Sequence, residues 1–428
     1  MSFYKINFQS QFFSVTICVT VTSAKFRIYP TEAQKVLMSK TFGCVRWVYN
    51  YALAAKMKVY ETTQETLSVY AISAELSKLK DAPETEWLRE VNSQALQMSL
   101  RNLDAAYSRF FREKKGFPRF KSRYDRQSFC NPQSTELDYA AGRVYIPKFK
   151  GGIKARLHRK VDGRVKSSTV SRDASGRYFI SVVIERDGEH PVPPTPIPER
   201  TLGIDLGLKT FATFSNGDVV RNPRHLKQKL KSLKRAQRKL SRRTKGSKNR
   251  DKARKRVAKI HARVSDSRRD FLHKVSCAVA KNQGYTAVAI EDLAVCNMAK
   301  NHRLARHIMD AGWRTFRDFL AYKCEREGKT LLTIGRFEPS SKLCTCGVLN
   351  NTLTLRDRVW TCSSCNTTHD RDALAAQNIV RFAFCKQDTS NKISASAQAA
   401  AKIPLERRKS KPVERPSRVA VKQEAVSL

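Results

Sequence analysis

The sequence predicts a multidomain α/β chain: a small sheet or barrel interrupted by a helical module, a stiff linker, and a second domain opening on an antiparallel meander. Three observations carry this. The hydrophobic period switches from the strand-like KFRIYP at 25–30 to a helical series from Thr31 to about Phe111, then back to alternation over 143–149, 155–159 and 178–185. PVPPTPIP at 191–198 is a polyproline-type spacer and marks a boundary. LGIDLGLKTFATFSNGDVV at 202–220 holds three short apolar runs, separated by Gly207 and by the hairpin signal Asn216–Gly217.

Charge narrows the partner. With 82 Lys and Arg against 38 Asp and Glu in 428 residues, the formal charge is 82 − 38 = +44. A neutral metabolic enzyme gains nothing from such self-repulsion, whereas cations that neutralise phosphates release condensed counterions and bind nucleic acid strongly. An anionic membrane surface or an acidic protein is the alternative. A hydrophobic content of 41% excludes global disorder. The apolar stretch Phe12 to Val21 is short, rich in Thr and Ser, and lacks a basic leader, so the expectation is a cytoplasmic protein without a membrane partner, nucleoid-associated when bound to DNA. Eleven cysteines are too sparse for a disulfide scaffold, and the four within 344–365 suit a metal.

Along the chain, residues 1–23 carry no capping or turn signal and read as an extension of uncertain role. Thr31 of TEAQ is an N-cap, and Phe42, Val45 and Val48, then Leu96, Leu100 and Leu103, are core faces of the helices that follow. GFPRFKSRYDRQSF at 116–129 interleaves Phe117, Phe120, Tyr124 and Phe129 with Arg119, Lys121, Arg123 and Arg126. Such a segment can stack on bases and grip phosphates, or be a surface loop with a partly buried aromatic. From Leu226 to Ile260 there are 17 Lys and Arg among 35 residues and one acid, Asp251. Leu226, Leu230, Leu233 and Leu240, with Val257, Ile260 and Val264 beyond the breaker at 244–250, predict two antiparallel helices with basic outer faces.

Chemistry concentrates at two places. Asp205, Glu291 and Asp372 each sit at a strand or element boundary beside apolar residues, where an isolated ionised carboxylate is costly. Either each has a private basic partner or all three converge on divalent metal. A basic chain with a three-strand opening and converging acids resembles RNase H-like nucleases, which use two Mg²⁺ ions. In LCTCGVLNNTLTLRDRVWTCSSCNTTHDRD at 343–372, Cys362 and Cys365 form C-x₂-C, while Cys344 and Cys346 form C-x-C. Four thiolates could pin two hairpin knuckles around a structural Zn²⁺, the shortened one bending more tightly or yielding its place to His369. The tail 386–428 reads as disordered and basic.

Taken in order, KFRIYPTEAQ at 25–34, FGCVRWVYNYAL at 42–53, NSQALQMSLRNLDAAYSRFF at 92–111, GFPRFK at 116–121, GIDLGLKTFAT at 203–213, DAGWRTFRDFLAYK at 310–323, PSSKLC at 339–344 and HDRDALAAQNI at 369–379 resemble the transposon-encoded OrfB/TnpB proteins. These are RNA-guided DNA endonucleases similar to type V CRISPR effectors. The resemblance implies a wedge-like β-barrel (first strand 24–31, remainder with linker 126–198) holding a helical recognition module at 32–125. After it come a RuvC nuclease domain at 199–342 with a basic hairpin at 225–280, a zinc ribbon at 343–368 and a final RuvC helix at 369–385. It also implies that Asp205, Glu291 and Asp372 bind Mg²⁺ and cut DNA beside a short transposon-adjacent motif. An element-encoded guide RNA would pair with one strand of the double-stranded target. Tyr49, Tyr51 and Lys56 are candidates for DNA contact, with packing an equal reading for the tyrosines. Lys239 and Arg242 on the hairpin would add affinity without base specificity. Two departures stand out. The usual DRDxNAA reads DRDALAA, so Leu374 replaces an amide, and the first knuckle lacks one residue. Both motivate an alternative, a guided DNA-binding regulator with weak or lost cleavage.

Overall fold

The computed structural model describes residues 19–396 apart from 189, 355 and 356, so the expectations for residues 1–18 and 397–428 lie outside the described residues. Strand β1 (Val19–Tyr29) leads into α1 (Glu32–Thr63), then α2 (Val69–Asp81) and α3 (Ser93–Glu113). Thr31 starts α1 with a capping box: its hydroxyl accepts from the Gln34 amide, and the Gln34 side chain accepts from the Thr31 amide. Six further strands follow, β2 (Gln127–Asn131), β3 (Glu136–Asp138), β4 (Arg143–Tyr145), β5 (Ile153–Arg156), β6 (Arg164–Arg172) and β7 (Tyr178–Asp187). With β1 they form a seven-stranded sheet in the order β2-β6-β7-β1-β5-β4-β3, whose edge strands β2 and β3 do not pair with each other, so the expected barrel is an open half-barrel. Alternation along β7 buries Tyr178, Ile180, Val182 and Ile184. These share one core with Phe26 and Ile28 of β1, with Met38, Phe42, Val45, Val48 and Leu53 of α1, and with Leu96, Leu100 and Leu103 of α3.

The start of β1 differs from the sequence expectation of a strand beginning at 24 after an extension at 1–23. Val19 to Ser23 pair with Asp187 to Val183. Residues 19–23 pair with the end of β7 along the edge that β1 covers, and their β-branched alternation Val-Thr-Val-Thr suits the strand. The strands β2 and β3 also begin before the alternating signal at 143, because they are short and only partly buried.

The second sheet has the order β10-β9-β8-β11-β12. Its meander is β8 (Thr201–Leu206), β9 (Thr210–Phe214) and β10 (Val219–Arg221), with Gly217 at φ +90° in the predicted turn. The basic hairpin is α4 (His225–Ser241) and α5 (Lys248–Lys281); β11 (Ala287–Glu291) then runs parallel to β8 and β12 (Thr330–Ile334). Between β11 and β12 lie α6 (Val295–Met298), α7 (Ala305–Ala311) and α8 (Trp313–Arg326). Phe211, Leu272, Ile290, Trp313, Phe316 and Leu320 knit these elements into a second core. A small hairpin, β13 (Val359–Thr361) and β14 (Thr368–Asp370), leads into α9 (Arg371–Ser396), which lies across β8. That helix continues past residue 385, where the sequence reading ended it and began a disordered tail. No described helix is long and apolar enough to cross a membrane.

Candidate functional site

Two of the three acids come together because their strands are parallel neighbours. Ile204 of β8 is the register partner of Ile290 of β11, so Asp205 and Glu291 follow one step later at the same ends of adjoining strands. Asp372 lies in the first turn of α9, the helix packed on β8. Burial pushes the Asp205 carboxyl up to about 7, reinforced by the charges of Asp372 and Glu291 and opposed by Arg371 and Arg358. Burial likewise pushes Glu291 up to about 7, with Asp292 adding to it. Among the described residues neither Asp205 nor Glu291 has a basic group at ion-pair distance. Asp372 does: Arg358 Nη1 donates to both its oxygens at 3.1 Å.

The adjacent acid has the opposite fate. Asp292 accepts from Arg317 at 2.6 Å and Arg336 at 2.7 Å, and the Arg336 hydrogen bond foremost holds its carboxyl below the usual range. Two desolvated carboxylates without an ion-pair partner among the described residues are short of a cation, and hard oxygen donors of this kind suit a divalent metal such as Mg²⁺. A cavity of about 390 Å³ opens beside Glu291, lined by Leu206, Asp292, Trp313, Arg314, Arg317 and Arg336 among others. Sequence reading missed Arg358 and these arginines, because only the tertiary fold brings them to the acids.

The four cysteines form a tighter set. Their sulfurs all lie within 4.8 Å of one another, the only such group of three or more potential ligands among the described residues. Cys344 and Cys365 Sγ are 3.5 Å apart, Cys346 and Cys362 Sγ 3.7 Å. A tetrahedral zinc with 2.3 Å bonds needs sulfur–sulfur edges of about 3.8 Å, so the donors fit Zn²⁺. The shortened knuckle still closes because Gly347 adopts φ +93°, which lets its amide donate to the Cys344 carbonyl at 3.0 Å. Hydrogen bonding with the Thr367 side chain and backbone draws the Cys365 thiol down to about 6, whereas the neighbouring thiols of the cluster push Cys346 up to about 12. His369 Nε2 sits 3.0 Å from Cys344 Sγ. Leu374, read as a lost amide of the metal site, is instead 2% exposed and packs with Trp360, Cys344 and Cys362.

The nucleic-acid candidates separate. Tyr49 is buried beneath Lys121, whose Nζ lies 3.6 Å from its ring centroid, and Lys56 is buried with its ammonium donating to the Leu67 carbonyl. Both point inward from α1, which for Tyr49 agrees with the packing reading and for Lys56 sets the ammonium against protein rather than solvent. Tyr51 is half-buried, stacked on Trp47 at 5.2 Å. Of the aromatic and basic loop, Phe129 joins the core, whereas Phe117, Phe120 and Tyr124 are exposed, as are Arg119, Arg123 and Arg126. Asn50 clamps this loop to α1, accepting from the Lys121 amide at 2.8 Å and donating to its carbonyl at 2.9 Å. Lys239 and Arg242 are exposed on the basic hairpin.

A basic α/β chain with two buried acids at matched strand ends, a third acid on the adjoining helix and a four-thiol hairpin has the makeup of proteins that handle nucleic acid, although the three carboxylates do not form a ligand group as close as the thiols. Residues 179–302 match the OrfB family of IS605 described as "Probable transposase", residues 313–379 the family described as "Cas12f1-like, TNB domain", and residues 22–65 the OrfB "Helix-turn-helix domain". A Streptomyces pristinaespiralis protein named "Putative RNA-guided DNA endonuclease" is 41% identical over 360 residues, 83% of this chain and 88% of its own. The Escherichia coli K12 protein named "Putative RNA-guided DNA endonuclease InsQ" is 34% identical over 371 residues, 83% of this chain and 90% of its own. The chain therefore belongs to the OrfB/TnpB family. Its fold is similar to a chain of the "Cryo-EM structure of the Cas12f1-sgRNA-target DNA complex", with TM-score 0.52 and 12% identity over 85% of this chain and 99% of that one.

Proposed function

We propose that this protein is a Mg²⁺-dependent, RNA-guided DNA endonuclease of a transposable element, with Asp205, Glu291 and Asp372 as the metal-binding catalytic set of a RuvC-like domain. The observation that carries the reading is the pair of desolvated acids at matched ends of β8 and β11, both pushed up to about 7, with the charge of Asp372 adding to the shift of Asp205. Bound Mg²⁺ would supply activation of water and stabilisation of the leaving oxygen in phosphodiester hydrolysis. The chain's residues do the rest. Asp205 and Glu291 on rigid strands fix the donor oxygens, Asp372 completes the set from α9, and Asp292 anchors Arg317 and Arg336 at the rim of the cavity. The exposed cations of α4 and α5 hold phosphates of the guide RNA and target, while base pairing reads the target beyond a short adjacent motif.

The alternative is a guided DNA-binding regulator with weak or lost cleavage: Leu374 fills the amide position of the motif with an apolar side chain packed in the cysteine hairpin, although the four thiols lie close together despite the clipped knuckle. The test is to sequence RNA that copurifies with the protein and then to assay cutting of a target library with randomised flanks. Expected is RNA-dependent and Mg²⁺-dependent cleavage that D205A abolishes while guided binding persists. Full cleavage by D205A sinks the metal assignment.

A further inference from the structure

Three bonded steps lead from the cysteine cluster to Asp372. His369 Nε2 meets Cys344 Sγ at 3.0 Å, and both residues are buried. The next residue, Asp370, accepts through Oδ1 from the amides of Asp372 at 3.0 Å and Ala373 at 2.9 Å, capping the helix on which Asp372 stands. From the other strand of the hairpin, the Arg358 carbonyl accepts from the Arg371 amide at 2.8 Å while its guanidinium holds the Asp372 carboxylate. Trp360 is the register partner of His369 and its ring lies 5.1 Å away, fixing the imidazole from the side.

The distance decides what His369 does. Two groups on one tetrahedral zinc, an imidazole nitrogen and a thiolate, stand about 3.5 Å apart, given bonds of about 2.1 and 2.3 Å. At 3.0 Å the nitrogen lies nearer than that, in direct contact with the sulfur, and in the tautomer that carries its proton on Nε2 it donates to Cys344. The four sulfurs already complete a tetrahedral set. We propose that His369 is a positioning residue that donates through Nε2 to the Cys344 thiolate and so ties zinc occupancy of the cysteine cluster to the placement of the Asp372 carboxylate.

The consequence is that zinc acts beyond the ribbon. Loss of the ion would free the Cys344 sulfur, release His369, and loosen the Asp370 cap that accepts from the Asp372 and Ala373 amides. This deepens the nuclease reading above, on which the role of Asp372 rests, yet its test needs no cleavage. Full-length wild type, H369F and H369Q are compared by chelator competition for Zn²⁺, by the absorption spectrum of the Co²⁺-loaded protein, and by amide exchange across 370–376. Expected is a ten- to hundredfold weaker Zn²⁺ affinity in H369F, the range found for partners that orient metal ligands. Its Co²⁺ spectrum should stay that of four thiolates, with faster exchange at Asp372 and Ala373. H369Q keeps an N–H and should recover part of both losses, which a purely steric role would not give.

Stripping zinc from wild type should accelerate the same amides. A Co²⁺ spectrum that loses a nitrogen ligand in H369F overturns the proposal by making His369 a ligand. Unchanged affinity and protection in H369F overturn it as well. If H369F does not fold, zinc removal from wild type decides alone: no change in exchange at 370–376 refutes the coupling. Absence of target cutting with these results intact would refute the nuclease reading instead.

Discussion

Replacing Gly203 by Ala tests how Asp372 is brought to Asp205. A Cβ at Gly203 would lie 2.0 Å from the Ala376 carbonyl oxygen and 2.8 Å from Val380 Cγ2. Ordinary contact begins at 3.4 Å, so α9 must withdraw from β8 by 3.4 − 2.0 = 1.4 Å, or β8 must bow by as much. Ala376 is one helical turn from Asp372, and the displacement therefore arrives at the carboxylate almost undiminished. A misplacement of about 1 Å costs on the order of a hundredfold in rate, and overpacking of this kind about 1–3 kcal/mol of stability. Target cleavage by the guide-loaded protein, measured under single-turnover conditions, should fall about a hundredfold or more while guided DNA binding persists. Gly43 of α1 has nothing within 4 Å of its virtual Cβ, so G43A should leave both properties intact or slightly raise stability. Wild-type cutting by G203A would refute the claim that the β8 to α9 approach sets the site.

Three other outcomes follow from particular side chains. Asp205 and Glu291 have folded-state values near 7, above the 3.8 and 4.5 of free carboxyls, so between those limits the native state keeps protons that the unfolded chain has released. Stability of the metal-free protein from this pair is thus fully present at low pH and declines as pH rises through about 7. Thermal midpoints in chelator should drop between pH 5 and 8, less steeply in D205N, and Mg²⁺ should restore more at pH 8; a flat, Mg²⁺-indifferent profile contradicts this. Substituting both Lys239 and Arg242 by Ala should shrink the slope of log affinity against log salt for duplex DNA by at most about 2 × 0.9 = 1.8, with no change in target preference. An altered preference would mean that these cations read bases. L374N places an amide among Trp360, Cys344 and Cys362 and should cost about 1–3 kcal/mol in calorimetry while failing to speed cleavage; a faster enzyme would restore the site role once given to that position.

Much of the architecture was legible because it is written in periodicity. The meander of the second sheet, the basic hairpin, the β11 and β12 strands and the capped start of α1 all follow from apolar spacing and turn residues. What sequence could not supply falls into two physical kinds. Residues 19–23 extend β1 by pairing with β7, and their alternating Val and Thr carried a strand signal that lacked a turn or cap to mark where the strand begins. Tyr49 and Lys56 lie in a helix of mixed polarity whose pattern does not give their direction, and it is the loop carrying Lys121 that covers Tyr49 and the Leu67 carbonyl and Tyr107 ring that hold Lys56. The site shows the same division. Asp205 and Glu291 announce themselves as acids at the ends of apolar strands, whereas Arg358, Arg317 and Arg336 matter only through partners 14 to 44 residues away.

Those arginines also explain how a chain of charge +44 keeps an acidic centre. If cations crowded all the carboxylates alike, each would be neutralised privately and none would need a metal. Instead the arginines are spent unevenly: Asp292 takes two, Asp372 takes one, and Asp205 and Glu291 take none at ion-pair distance among the described residues. Burial then leaves the last two in a state that only protonation or a divalent ion relieves. The ion pair on Asp372 comes from the cysteine hairpin and the close approach at Gly203 comes from the sheet, so the third carboxylate is held from two sides by elements with separate cores. Either hold failing alone should spoil the alignment of the acids without dissolving either core, which is why cleavage and global stability are expected to part company in G203A and in H369F.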